Sequence, residues 1–218
     1  MKTDQNQIKK FAILFATFVV PLLFFLFLAS GKVNFTKLPV LTTQVKNLPS
    51  ESKISFRDKV SVVAFLGEKE TLTSVQGLLN LYQVVYKSTE KYTKFQVVVV
   101  LPETREKGLE KLKSELAFVG GVDLQKWHFV VTSEAKLRTL YNSFEVPGNY
   151  DLVSGAKEVF IVDEAVQLRG RTDDEDTESG VLFGYDTESV AVLKNKLRED
   201  LKVVFYESKF AVKEPSLE

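Results

Sequence analysis

The chain has 218 residues, with 29 Lys or Arg balanced by 29 Asp or Glu, one His and no Cys. Without a thiol there is no disulfide, no thiolate metal site, no CxxC redox pair and no cysteine nucleophile. A zero net charge gives no basic face for nucleic acid, and 44% hydrophobic with 27% charged residues excludes a disordered chain.

Those averages mix two solvents. Phe11 to Ala29 (FAILFATFVVPLLFFLFLA) carries no charge and holds six of the 17 Phe. At 1.5 Å per residue it is close to the ~30 Å hydrocarbon core of a bilayer, which predicts a membrane helix over residues 11–30. Pro21 is tolerable there, because freed backbone groups find partners inside a membrane protein. Lys2, Lys9 and Lys10 precede the run against one acid, Asp4. The positive-inside rule then keeps residues 1–10 in the cytoplasm and exports the rest. A cleaved signal peptide is the rival, with Ala29-Ser30-Gly31 as small residues at the right end. This apolar run is longer than the usual h-region of roughly 7–15 residues. Without Cys, lipoprotein processing is excluded. Residues 1–29 hold three lysines and one aspartate, so 26 basic and 28 acidic groups remain in the exported part.

Residues 31–51, with two Leu-Pro pairs, read as an extended connector lying along the domain. A domain is expected over residues 52–210. Lys53 to Phe56 alternates at period two and turns at Arg57-Asp58-Lys59, which predicts a hairpin arm. Val60 to Leu66 (VSVVAFL) is a strand buried on both faces. Thr71 to Tyr92 places Leu72, Val75, Leu78, Leu79, Tyr82, Val85 and Tyr86 on one helical stripe. Phe95 to Leu101 is a second buried strand, stopped by Pro102. Glu103 to Ala117 is a charged helix ended by Gly120-Gly121. His128 to Thr132 is a short strand, and Ser133 caps a helix to about Phe144. Pro147-Gly148-Asn149 marks a loop. Glu158 to Asp163 and Ala165 to Leu168 form a hairpin. Asp186 or Thr187 caps a last helix with Val190, Leu193, Leu197, Leu201 and Val204 facing inward. Residues 211–218 read as a frayed tail.

This order, β(hairpin)–β–α–β–α–β–α–β–β–α, predicts an α/β fold: a thioredoxin-like mixed sheet flanked by helices. The residues then resemble a known family. The anchored N-terminus, Leu38-Pro39-Val40 and VSVVAFLGEKETLTSVQGLLNL resemble the Sco/SenC family of thioredoxin-like, membrane-anchored proteins. Trp127 to Thr132 followed by a helix resembles that family's Trp-x-Phe-Leu-Thr segment. Val159 to Asp163, a turn and an Arg-Gly pair resemble its closing hairpin. LRGRTDDED…FGYD resembles Bacteroidetes-type members.

The resemblance implies copper delivery to, or redox maturation of, the cytochrome c oxidase copper centre. The family binds copper with a Cys-x-x-x-Cys pair after the first buried strand and a His before the hairpin strand. Carried onto this chain, the Cys positions fall at Glu70 and Ser74, and the His near Ser154 or Gly155. None is a soft ligand, so copper(I) chemistry by that route is excluded. The expectation is a pseudo-enzyme that binds no cofactor and acts as an interaction or assembly factor for a respiratory membrane complex. It would sit on the outer face of a bacterial inner membrane, its domain periplasmic.

Few other residues could replace those ligands. His128, the only imidazole, reads as a packing or surface residue. Glu68 and Glu70 read as helix-start acids rather than a catalytic pair. The run Asp173-Asp174-Glu175-Asp176-Thr177-Glu178 offers carboxylates for a hard cation, but without EF-hand spacing. It reads as a solvated loop partly neutralised by Arg169 and Arg171, or as a contact for a basic partner. A ligand- or metal-binding module using this loop, with Asp173, Asp174 and Asp176 as its weak candidates, is the alternative function. Phosphate-binding, dinucleotide, zinc-protease and serine-hydrolase motifs are absent.

Overall fold

A computed structural model describes residues 2–29, 37–50, 52–121 and 123–211. Ser30 and Gly31 of the cleavage motif and the end of the tail fall outside them. The chain divides into two compact units, residues 1–36 and 37–218.

The first unit is one helix, α1 (Lys2–Ala29), with Pro21 inside it. Its stretch Gln7–Phe27 is long and apolar enough to cross a membrane, and none of it is buried against protein. The Thr17 hydroxyl donates to the Ile13 carbonyl at 2.8 Å, so the helix satisfies that polar group itself.

The second unit is a seven-stranded mixed sheet in the order β1-β6-β5-β2-β3-β4, with β7 also on β5. Its strands are β1 (Val40–Thr42), β2 (Val60–Leu66), β3 (Phe95–Pro102), β4 (Trp127–Thr132), β5 (Gly155–Val162), β6 (Leu168–Arg169) and β7 (Tyr185–Asp186). β2, β3 and β4 are parallel, and β5 runs antiparallel to β2. The helices are α2 (Leu72–Leu81), α3 (Lys87–Thr89), α4 (Leu109–Gly120), α5 (Glu134–Asn142), α6 (Val190–Val192) and α7 (Arg198–Ala211). A π turn at Tyr82–Tyr86 joins α2 to α3, and another at Leu193–Leu197 joins α6 to α7.

Alternation in β2 and β3 builds two cores. Val60, Val62, Ala64 and Leu66 join Val97, Val99 and Leu101 under Leu78, Leu116 and Leu201. Val63, Phe65, Val98 and Val100 face the other way, toward Leu137, Phe144 and Phe160. A strand covered by helices on one face and by α5 with its flanking segments on the other is apolar at nearly every position, as β2 and β3 are. The two exceptions, Ser61 and Gln96, are buried and bond each other, Gln96 Nε2 donating to the Ser61 hydroxyl at 2.9 Å.

The structure corrects several expectations. Lys53–Phe56 forms no strand; Phe56 plugs the second core and Asp58 takes a positive φ of 62° in the turn that follows. The segment read as connector supplies edge strand β1 and three buried side chains, Leu38, Val45 and Leu48. Glu103–Gly108 is a 3-10 turn ahead of α4, which ends on left-handed Gly121. The last helix is capped by Ser189, whose side chain accepts from the Val192 N–H, because Asp186 lies in β7 and Thr187 bonds to the Lys157 carbonyl. The hairpin's second arm is Leu168–Arg169; residues 163–167 are the turn, where the Asp163 carboxylate accepts from the N–H groups of Ala165 and Gln167.

Candidate functional site

The family's ligand positions lie where the loop after β2 meets the loop before β5. The two are stitched by backbone: the Glu68 N–H donates to the Leu152 carbonyl at 2.8 Å and the Lys69 N–H to the Val153 carbonyl at 3.0 Å. Glycine makes this approach feasible. A Cβ on Gly67 would sit 2.3 Å from the Val153 carbonyl oxygen, and Gly155 (φ +79°) would place one 2.4 Å from the Gly67 nitrogen. Tyr150 fixes the strand end behind them, its hydroxyl donating to the Leu66 carbonyl at 2.6 Å. Burial holds that phenol's pKa well above its ordinary value, so it stays a donor.

Ser74 and Ser154 line one small cleft of about 70 Å³ together with Thr71, Thr73, Thr187 and Glu188. The sequence mapping therefore brings two of its positions together. Gly155 adjoins them in the chain, whereas Glu70 does not line the cleft.

Each of these groups is already engaged. Ser74 and Thr71 form a reciprocal cap of α2: the Ser74 N–H donates to Thr71 Oγ1 at 3.0 Å and the Thr71 N–H donates to Ser74 Oγ at 3.3 Å, while the Ser74 hydroxyl also donates to the Thr71 carbonyl at 2.9 Å. The Ser154 hydroxyl donates to Asp151, whose pKa is lowered first by that bond and then by the Val153 N–H. Glu70 is not a helix-start acid. It meets Arg105 Nη2 at 3.5 Å and Lys111 Nζ at 3.4 Å, spanning from the β2 loop to the 3-10 turn and α4. Arg105 is only 5% exposed and also donates to the Gly67 carbonyl at 3.3 Å. It holds the loop from behind. Glu68 is exposed.

Chemically this arrangement does not fit copper. Hydroxyls and a carboxylate are hard donors, and no thiolate, thioether or imidazole lies among the cleft residues. With no dithiol in the chain there is also no disulfide exchange to perform.

Apolar side chains stand exposed at the start of α2 and on the loop before β5. Leu72, placed by its spacing on the buried stripe of α2, is 91% exposed, and Val153 is 45% exposed. Val190, also expected to face inward, is half exposed as well.

The acidic loop is not solvated throughout. Asp174 is 5% exposed, and both its oxygens accept from Lys196 Nζ at 2.8 and 2.7 Å. Asp176 pairs with the same ammonium at 2.7 Å, which lowers its pKa. The point on which these carboxylates converge is held by Lys196, and among the described residues no three His, Cys, Asp or Glu side chains gather as a metal site would require. Nothing in this arrangement adds Asp173 to a cation site. The arginines before the loop serve elsewhere. Arg171 grips Asp200 through two bonds of 2.8 and 2.9 Å, and Tyr185 donates to the same carboxylate. Arg169 joins Asp163, Glu207 and the Leu38 carbonyl. His128 sits half-buried on β4, with its pKa lowered by burial and then by the Lys59 charge.

Sequence reasoning missed Arg105 and Lys196, which act on groups distant in the chain, and Asp151, which accepts from the hydroxyl of Ser154 three residues on. Leu72 did carry a signal: it directly follows the cap residue Thr71, one turn ahead of the buried stripe.

The sequence matches no protein-family model and no curated protein. Solved structures do share its fold. BsSco, a member of the Sco family of cytochrome c oxidase assembly proteins, superposes with a TM-score of 0.52 over 79% of this chain and 96% of its own, at 12% identity. A SCO1/SenC family lipoprotein from Bacillus anthracis gives 0.52 over 77% and 99%, at 14% identity. At such identities the likeness speaks for architecture: residues 37–211 form a thioredoxin-like domain folded as these Sco-family proteins are.

Proposed function

We propose that the chain is a membrane-anchored, non-catalytic thioredoxin-like protein that acts as an interaction or assembly factor in the biogenesis of a respiratory cytochrome oxidase. The observation that carries this reading is the cleft itself. The positions matched to the family's soft ligands hold hard groups tied to their neighbours, while Leu72 at the start of α2 and Val153 on the loop before β5 face solvent. A face with no ligands to offer and apolar side chains on display suits docking rather than chemistry. Helix α1 supplies the anchor, with residues 1–10 cytoplasmic and the domain periplasmic at a bacterial inner membrane. Tethering raises the domain's effective concentration at membrane partners without new contacts.

The test is crosslinking and pull-down of the full chain from its native membranes. Oxidase subunits or their assembly factors are expected with the wild-type chain and are lost when Leu72→Asp and Val153→Asp are combined. Recovery of no such component, or equal recovery with the double variant, rejects the reading. A reporter fused after Glu218 checks orientation; it is active only outside the cytoplasm if the topology is right.

A further inference from the structure

β4 ends the sheet. β3 pairs with it on one side, and among the described residues no strand pairs on the other. Its register sets Val97 opposite Trp127, Val99 opposite Phe129 and Leu101 opposite Val131, and the Val97 N–H donates to the Lys126 carbonyl. In a parallel ladder this turns the backbone of His128, Val130 and Thr132 toward β3. The N–H and C=O groups of Phe129 and Val131 therefore point away from the sheet. Natural proteins usually blunt such an edge with a charge or proline on the strand, and WHFVVT has neither.

A groove of about 660 Å³ runs along this edge and contains every residue of β4. Three lysines line it, Lys53, Lys113 and Lys136, against one acid, Glu103. Lys113 pairs with Glu110 at 2.8 Å and also stands 5.6 Å above the Phe129 ring, which keeps its charge over the strand. The Lys59 charge adds to burial in lowering the His128 pKa, so positive potential reaches the middle of β4. Trp127, 5% exposed and also lining the groove, has the one buried side-chain polar atom without a hydrogen-bond partner among the described residues, its Nε1. The groove shares no lining residue with the Ser74–Ser154 cleft.

We propose that the free edge of β4 receives an extended acidic segment of a partner protein, which adds a strand beside Phe129 and Val131 with its carboxylates toward Lys53, Lys113 and Lys136. Main-chain bonds supply the pairing and the lysines select the charge. A second copy of this chain suits the edge poorly, because β4 against β4 brings the two sets of lysines together.

Trp127 is the only tryptophan in the chain and so reports on this strand. The full chain, in detergent micelles, is titrated with a peptide of alternating Val and Glu, and with its Val and Lys counterpart. The Glu peptide is expected to change Trp127 emission saturably, the Lys peptide to leave it unchanged, and added salt to weaken the response. Lys53→Glu with Lys136→Glu is expected to weaken the Glu peptide about tenfold or more. Val131→Pro removes one outward N–H, a substitution that edge strands tolerate, and is expected to abolish the response while the far-ultraviolet circular dichroism is kept. If Val131→Pro does not fold, a Glu peptide N-methylated on alternate backbone nitrogens takes its place and is expected not to bind. No response to the Glu peptide, an equal response to both peptides, or binding indifferent to the loss of main-chain donors overturns the proposal. Sedimentation showing a dimer that Val131→Pro dissolves also overturns it, in favour of a second copy.

Discussion

Two clusters of charge and hydrogen bonds sit in this domain, and they differ in what they join. Around Arg169 and Arg171 the guanidinium groups reach Asp163, Glu207 and Asp200, linking the hairpin, the Leu38 segment and α7. Around the Ser74–Ser154 cleft the serine hydroxyls bond locally, Ser74 to Thr71 and Ser154 to Asp151, each three residues back. What reaches across there is Glu70, through Arg105 and Lys111, together with Tyr150 on the Leu66 carbonyl and the backbone bonds from Glu68 to Leu152 and from Lys69 to Val153. Ion pairs between residues far apart in sequence hold the architecture, whereas the hydroxyls of Ser74 and Ser154 only finish the helix start and the loop on which they lie.

Breaking the first cluster should have the largest consequence. Arg169→Met leaves the Asp163 and Glu207 carboxylates, 10% and 18% exposed, without their cation. Removing one partner of a buried ion pair costs about 3–5 kcal/mol. Chemical denaturation followed by Trp127 emission checks this; a loss under about 1 kcal/mol would mean that the cluster behaves as surface pairs do.

The loop contact comes next. Gly67→Ala drives a methyl to 2.3 Å from the Val153 carbonyl oxygen, against backbone that cannot rotate away. Overpacking of this kind costs about 1–3 kcal/mol. Proteolysis of the native chain should show the 151–155 loop opening while the Arg169 side stays closed. Uniform opening of both regions would erase the distinction between them.

Within the cleft, Ser74→Ala removes half of the cap on α2 and is expected to cost about 1 kcal/mol, as helix caps do. Loss of oxidase pull-down in this variant, at unchanged stability, would give Ser74 a role beyond capping.

The smallest effect is a pH dependence. His128 has a pKa lowered from its ordinary 6.5, by burial first and by Lys59 second. The unfolded chain then binds its proton before the native one does. The contribution of neutral His128 is complete above about pH 6.5 and is lost as pH falls from there toward the lowered folded value. His128→Gln should flatten this part of a stability profile, and the carboxylates alone should govern what remains.

The fold was largely legible because its two central strands are apolar at all but Ser61 and Gln96 and its helices follow their own period. The free edges were not. β1 is three residues beside Pro39 and exists because Arg169 and Leu168 lie opposite it, a pairing between positions far apart in the chain. Lys53–Phe56 alternates as a strand would, yet Phe56 is buried by a turn and Lys53 stays exposed, so the period was coincidental. At the site, the lack of cysteine could be read directly from the sequence. The contacts of the residues that stand there could not. The partners of Glu70 and Asp174 are Arg105, Lys111 and Lys196, and nothing in their local sequence distinguishes them from ordinary surface charges.

The central claim is that this thioredoxin-like scaffold stands without the soft-metal chemistry of the family it resembles. Calorimetric titration of the full chain with copper(I) tests it most directly. The account predicts no stoichiometric binding, and the same null trace for the Ser74→Ala and Ser154→Ala variants. One equivalent of copper bound at micromolar affinity or tighter, and lost on substitution of Ser74, Ser154 or His128, would contradict it.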